Sequence, residues 1–110
     1  MYDYERVKSS SRSIDGIRFK TKKREFISCN SFLAEAGTTG YKGGDSGHGA
    51  RTFFSIKDTC CSDIYTNIVE AECGTGFEVR INGDTELDTV IEALKFIVQV
   101  LEEQKGEKVE

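Results

Sequence analysis

A chain of 110 residues with 37% apolar residues and a formal net charge of −4 has room for one domain and one modest core. No apolar run approaches the roughly 20 residues of a membrane span, and the acidic balance argues against wrapping a long nucleic acid. Charge is unevenly placed: residues 1–24 carry a net of +5, residues 25–57 balance, and residues 58–110 carry a net of −9.

Residues 1–13 are polar, with a Ser9-Ser10-Ser11 run, and read as a flexible arm or a weak first strand. MYDYERVKSS contains no apolar h-region, so no secretory signal is expected and the cytoplasm is the expected compartment. Ile14 to Lys20 alternates in part, through Ile17 and Phe19, and reads as strand. The basic run Lys20, Lys22, Lys23, Arg24 reads as a solvated strand face followed by a turn at Lys22 to Arg24. Glu25 to Ala36 is a longer β candidate carrying Phe26, Ile27, Phe32, Leu33 and Ala34, with Asn30 as its weak point.

The segment GTTGYKGGDSGHGART, Gly37 to Thr52, follows. It holds six of the eleven glycines and the only histidine, His48. Glycine gives up more backbone freedom on ordering than any other residue, a cost chains bear where peptide N–H groups approach a ligand or turn through positive φ. The alternative is a long floppy surface hairpin, although structureless loops beyond about 12 residues are uncommon in small domains.

Thr52 to Lys57 is a short β-rich run. Asp63 to Cys73 alternates, Gly74 and Gly76 punctuate a turn, and Gly76 to Ile81 places Phe77, Val79 and Ile81 on one face of a strand. Thr85 reads as a helix N-cap with Asp88 three residues on. The helix of residues 85–104 carries Leu87, Val90, Ile91, Leu94, Ile97, Val98 and Leu101 at helical spacing, with Ala93, Phe96 and Val100 beside that stripe. The combined apolar arc spans roughly 220°, against the 100° or so that packing on one sheet needs. A second subunit on the surplus face predicts a homodimer or higher homo-oligomer; the alternative is a loop of the same chain. Residues 105–110 read as a frayed tail. The whole is an α+β domain: an antiparallel β-sheet of about five to six strands, spanning residues 14–81 and interrupted by the loop of residues 37–51, with one long C-terminal amphipathic helix packed on it.

Motif by motif, the chemistry of the loop points to binding. Asp45-Ser46-Gly47 matches the surround of a serine nucleophile, but the only histidine is two residues from Ser46 and no strand-to-helix elbow follows. The GxxxxGK[ST] pattern of a phosphate loop is absent, and no βαβ unit frames a dinucleotide fingerprint. Four cysteines, Cys29, Cys60, Cys61 and Cys73, include no CxxC pair; they read as buried thiols or spectators, with a four-thiolate zinc site the alternative, and no metal or cofactor is expected. What the loop offers is a nest of glycine N–H groups, hydroxyls at Thr38, Thr39 and Ser46, and a guanidinium at Arg51. Tyr41 and Phe77 supply faces for a purine. Arg51 can equally pair with Asp45 or Glu35, and Phe77 can equally be core. His48 reads as a hydrogen-bond donor to a phosphate or base edge, as a residue satisfying a backbone carbonyl, or as the general base of a phosphodiesterase.

EAGTTGYKGGDSGHGART, with FFSIKD and GFEVRINGDTELDTVIEALKF after it, resembles the first type of Thoeris anti-defence protein, over roughly Phe32 to Leu101. Members are phage proteins that bind cyclic ADP-ribose isomers made by TIR-domain proteins and keep them from their effector without cleaving them. Some bind cyclic oligonucleotides in separate pockets and assemble beyond the dimer. The resemblance implies no enzymatic activity and a ligand held by the glycine-rich segment and the aromatic strand position. Taken with the chemistry above, the candidate contacts are Thr38, Thr39, Gly40, Gly44, Asp45, Ser46, Gly47, His48, Arg51 and Phe77. The competing expectations are a small phosphodiesterase acting on a cyclic nucleotide through His48, and a structural interaction module.

Overall fold

The structure, a computed structural model, describes residues 7–27, 31–44, 49–59 and 64–106. Among these, β1 (Lys8–Ile14), β2 (Ile17–Ile27), β3 (Ser31–Thr38) and β4 (Thr52–Asp58) form an antiparallel four-stranded sheet in chain order. Strands β5 (Ile64–Ala71) and β6 (Gly74–Ile81) pair only with each other, as a hairpin. One helix, α1 (Asp84–Lys105), closes the described chain. The α+β class expected from the sequence is the one adopted, with the strands divided between two sheets.

The first turn differs from the sequence reading. Asp15 and Gly16, at φ 51° and 81°, link β1 to β2 by the two left-handed residues that an Asp-Gly hairpin turn uses. Lys22, Lys23 and Arg24 lie inside β2, opposite Ala36, Glu35 and Ala34 of β3. Strand is tolerated there because the long basic side chains find partners. Lys22 Nζ reaches Glu103 at 3.9 Å, and the Arg24 guanidinium lies 4.6 Å over the Phe26 ring. The second hairpin turn falls at Glu72 and Cys73, so Gly74 and Gly76 belong to β6.

Helix α1 lies chiefly over β3. Ala34 and Ala36, small and fully buried, leave room for Phe96, whose ring meets Phe26 edge-on at 5.8 Å. Phe26, Ala34, Ala36, Ala93, Phe96, Ile97 and Val100 form the core, flanked by Val7, Ile56 and Leu101. The packed face of α1 is therefore the one centred on Ala93, Phe96 and Val100, which shares only Ile97 and, at its margin, Leu101 with the stripe that the spacing singles out. Leu87, Ile91, Leu94 and Val98 of that stripe are exposed, Leu87 at 57% and Val98 at 54%. The helix begins at Asp84 with Gly83, at φ 111°, as its N-cap and no side-chain cap; the Thr85 carbonyl instead accepts from the Thr89 hydroxyl at 2.9 Å.

Strand β3 is buried on its other face too. Glu35 accepts hydrogen bonds there from Thr21 Oγ1 at 2.6 Å and from Arg12 at 2.9 Å, and Arg12 also stacks 4.9 Å over Phe53. The hairpin is far less covered: Ile68 is 79% and Phe77 61% exposed. No helix is long and apolar enough to cross a membrane among the described residues.

Candidate functional site

The glycine-rich segment leaves the sheet at the end of β3 and returns at the start of β4, so its two stems are neighbours by register, with Thr38 opposite Thr52. The stems are tied by their own peptide groups and hydroxyls. Thr39 N–H donates to the Arg51 carbonyl at 2.9 Å, and Arg51 N–H donates back to Thr39 Oγ1 at 3.0 Å. Thr38 Oγ1 donates to the same Arg51 carbonyl at 3.0 Å, accepts from Gly40 N–H at 3.3 Å and lies 3.1 Å from Thr52 Oγ1. Gly40 and Gly43 take φ of 78° and 82°, a region that disfavours any side chain with a Cβ.

The same stems are fastened to the end of α1. Thr38 N–H donates to Gln104 Oε1 at 2.8 Å, and Tyr41 N–H donates to the Lys105 carbonyl at 3.0 Å. Between the fastened parts lies an open cavity of about 290 Å³. One wall is the segment, through Thr38, Gly40, Tyr41, Ala50 and Thr52; the other is α1, through Val98, Leu101, Glu102 and Lys105. Apolar surface floors the cavity, hydroxyls edge it, and one carboxylate and one ammonium stand at the helix side. Such a mix suits a ligand with a flat apolar part and an anionic part.

Of the candidate contacts, Thr38 and Gly40 line the cavity, while Thr39 and Arg51 tie the two stems of the segment together without lining it. Gly44 is exposed, and Asp45, Ser46, Gly47 and His48 lie outside the described residues. Phe77 sits on β6 away from the cavity wall, with its ring centroid 6.1 Å from that of Phe54. Phe54 and Thr52 lie two residues apart on one face of β4, and of the two only Thr52 lines the cavity. Local sequence patterns do not single out Glu102, Gln104 and Lys105, because their relation to the segment is purely long-range.

Cys73 is a free, exposed thiol at the hairpin turn; Cys29, Cys60 and Cys61 lie outside the described residues. Among the described residues, no group of three or more His, Cys, Asp or Glu side chains is placed to hold a metal ion. No protein-family model matches the chain, and neither a curated protein nor a solved structure is significantly similar to it.

Proposed function

We propose that the chain binds a cyclic ADP-ribose isomer and holds it uncleaved, acting as a phage anti-defence sponge in the host cytoplasm that withholds the signal from TIR-dependent Thoeris immunity. The observation that carries this reading is the cavity walled by both stems of the glycine-rich segment and by the end of α1. Its volume of about 290 Å³ is at the low end for small-molecule sites, enough for a nucleoside portion, with the charged remainder lying across the glycines. Tyr41 offers a stacking face, the Thr38 and Thr52 hydroxyls offer hydrogen bonds, and Lys105 offers a cation for a phosphate oxygen. The motifs quoted above support the choice of ligand class.

A sponge must bind tightly at stoichiometric concentration. Sub-micromolar affinity, about −8 kcal/mol, calls for a site held in shape before the ligand arrives. The bonded stems supply part of that rigidity. In this reading a second copy of the chain supplies the rest, because Val98 belongs both to the exposed helix stripe and to the cavity wall.

The test is mass spectrometry of what heat releases from protein incubated with a cyclic ADP-ribose isomer. Intact ligand is expected. A linear or cleaved product would make the chain a phosphodiesterase, with His48 as the first residue to replace. Retention of nothing would leave an interaction module.

A further inference from the structure

Gln104 is a polar side chain in an apolar position. It follows Ala93, Phe96, Ile97 and Val100 along the packed face of α1 and is only 8% exposed. Burying a primary amide costs stability unless both of its ends are bonded. Both ends are: Oε1 accepts from Thr38 N–H at 2.8 Å, and Nε2 donates to the Lys20 carbonyl at 3.2 Å. One side chain thus joins α1 to β2 and β3. Its upper partner, Thr38, is the hub of the neck, holding Gly40 and Arg51 through its hydroxyl. Three residues further on, Tyr41 N–H takes up the Lys105 carbonyl, one of the acceptors that a helix end leaves open.

We propose that Gln104 is the positioning residue of the glycine-rich segment, setting where its stems stand relative to α1 and therefore the width of the cavity. The last turn of the helix and the neck of the segment behave as one piece. The effect on ligand affinity rests on the binding reading above; the effect on the segment itself does not.

The experiment uses the full chain without ligand and reads amide hydrogen exchange by NMR, as protection relative to the unfolded peptide. Gln104→Met keeps length and volume and removes both bonds. Protection at Thr38, Thr39, Tyr41 and Arg51 is expected to fall by about tenfold or more, with Phe32 to Ala36 and Ala93 to Val100 unchanged. Gln104→Glu gives a second readout. Protonated, the new carboxyl has one donor and one acceptor and can make both bonds; ionised, it faces the Lys20 carbonyl with lone pairs alone. At low pH, where that carboxyl is protonated, protection at Thr38 is expected to match wild type and to exceed that in Gln104→Met.

Equal loss of protection throughout the chain in Gln104→Met, or a Gln104→Glu protein whose Thr38 amide at low pH is no better protected than that of Gln104→Met, would overturn the proposal. Titration with a cyclic ADP-ribose isomer then separates the two readings. A wild-type chain that binds nothing removes the proposed ligand and leaves the exchange result standing. A wild-type chain that binds, with Gln104→Met binding equally well, removes Gln104 from its positioning role.

Discussion

Phe54 of the four-stranded sheet and Phe77 of the hairpin meet with ring planes inclined at 53° and centroids 6.1 Å apart, although both rings are largely exposed. Tilted aromatic pairs of this kind contribute about 0.5–1.5 kcal/mol beyond the area they bury. A double-mutant cycle of Phe54→Ala and Phe77→Ala, followed by urea unfolding, is expected to return a coupling in that range. A coupling of zero would mean that the hairpin is not docked through these rings.

The ion pair on the opposite face of the sheet should be asymmetric in its response. Glu35 is buried, while the Arg12 side chain is 38% exposed. Removing the arginine strands a carboxylate that, among the described residues, keeps only Thr21, so Arg12→Ala is expected to cost about 1–3 kcal/mol, a figure reduced because solvent reaches the guanidinium. Arg12→Lys keeps the charge but loses the flat stack on Phe53 and should fall between. Chemical denaturation of the three proteins gives the ranking.

Gly37 is predicted to tolerate no side chain. A Cβ there would stand 2.5 Å from the Lys20 carbonyl oxygen and 2.9 Å from Thr21 Cγ2. Because the first of these is backbone, Gly37→Ala should cost about 1–3 kcal/mol through forced separation of β2 and β3. At Gly74 a Cβ would meet nothing within 4 Å, so Gly74→Ala serves as the control and should stay within about 0.5 kcal/mol of wild type. Thermal melts that fail to separate the two would refute the close approach.

The open stripe on α1 predicts self-association. Ile91 and Leu94 are exposed at 39% and 47%, on the side away from the sheet. The double substitution Ile91→Lys and Leu94→Lys is expected to leave helix content by circular dichroism intact and to convert an oligomer to a monomer by sedimentation velocity. A wild-type protein already monomeric at high concentration would contradict this.

The sequence and the structure agree where signals are local and repeated. The helix, its glycine stop at Gly106 and the strand of Phe77, Val79 and Ile81 are all legible in short windows, although the face that this alternation marks as half-buried leaves Phe77 and Val79 exposed. The first hairpin is legible in principle from Asp15-Gly16, but the basic cluster of β2 masks it by resembling a turn. Periodicity shows that α1 carries more apolar arc than one sheet covers. Which half packs is decided elsewhere, by the small Ala34 and Ala36 that admit Phe96. Nothing in the local pattern marks Glu35 or Gln104 as buried; their partners lie 14 to 84 residues away. For the same reason the glycine-rich segment announces a site, while the helix wall facing it stays silent.

The stems that wall the cavity are held by main-chain groups: Thr39 N–H on the Arg51 carbonyl, and Tyr41 N–H on the Lys105 carbonyl. Every residue has a peptide carbonyl and every residue but proline a peptide N–H, so this frame outlasts exchanges of the side chains it presents. Exchanges at Tyr41, Ala50, Val98 or Leu101 therefore change what the cavity wall presents while leaving these bonds in place. The shape of the cavity and the surface it presents are thus set by separate groups of atoms.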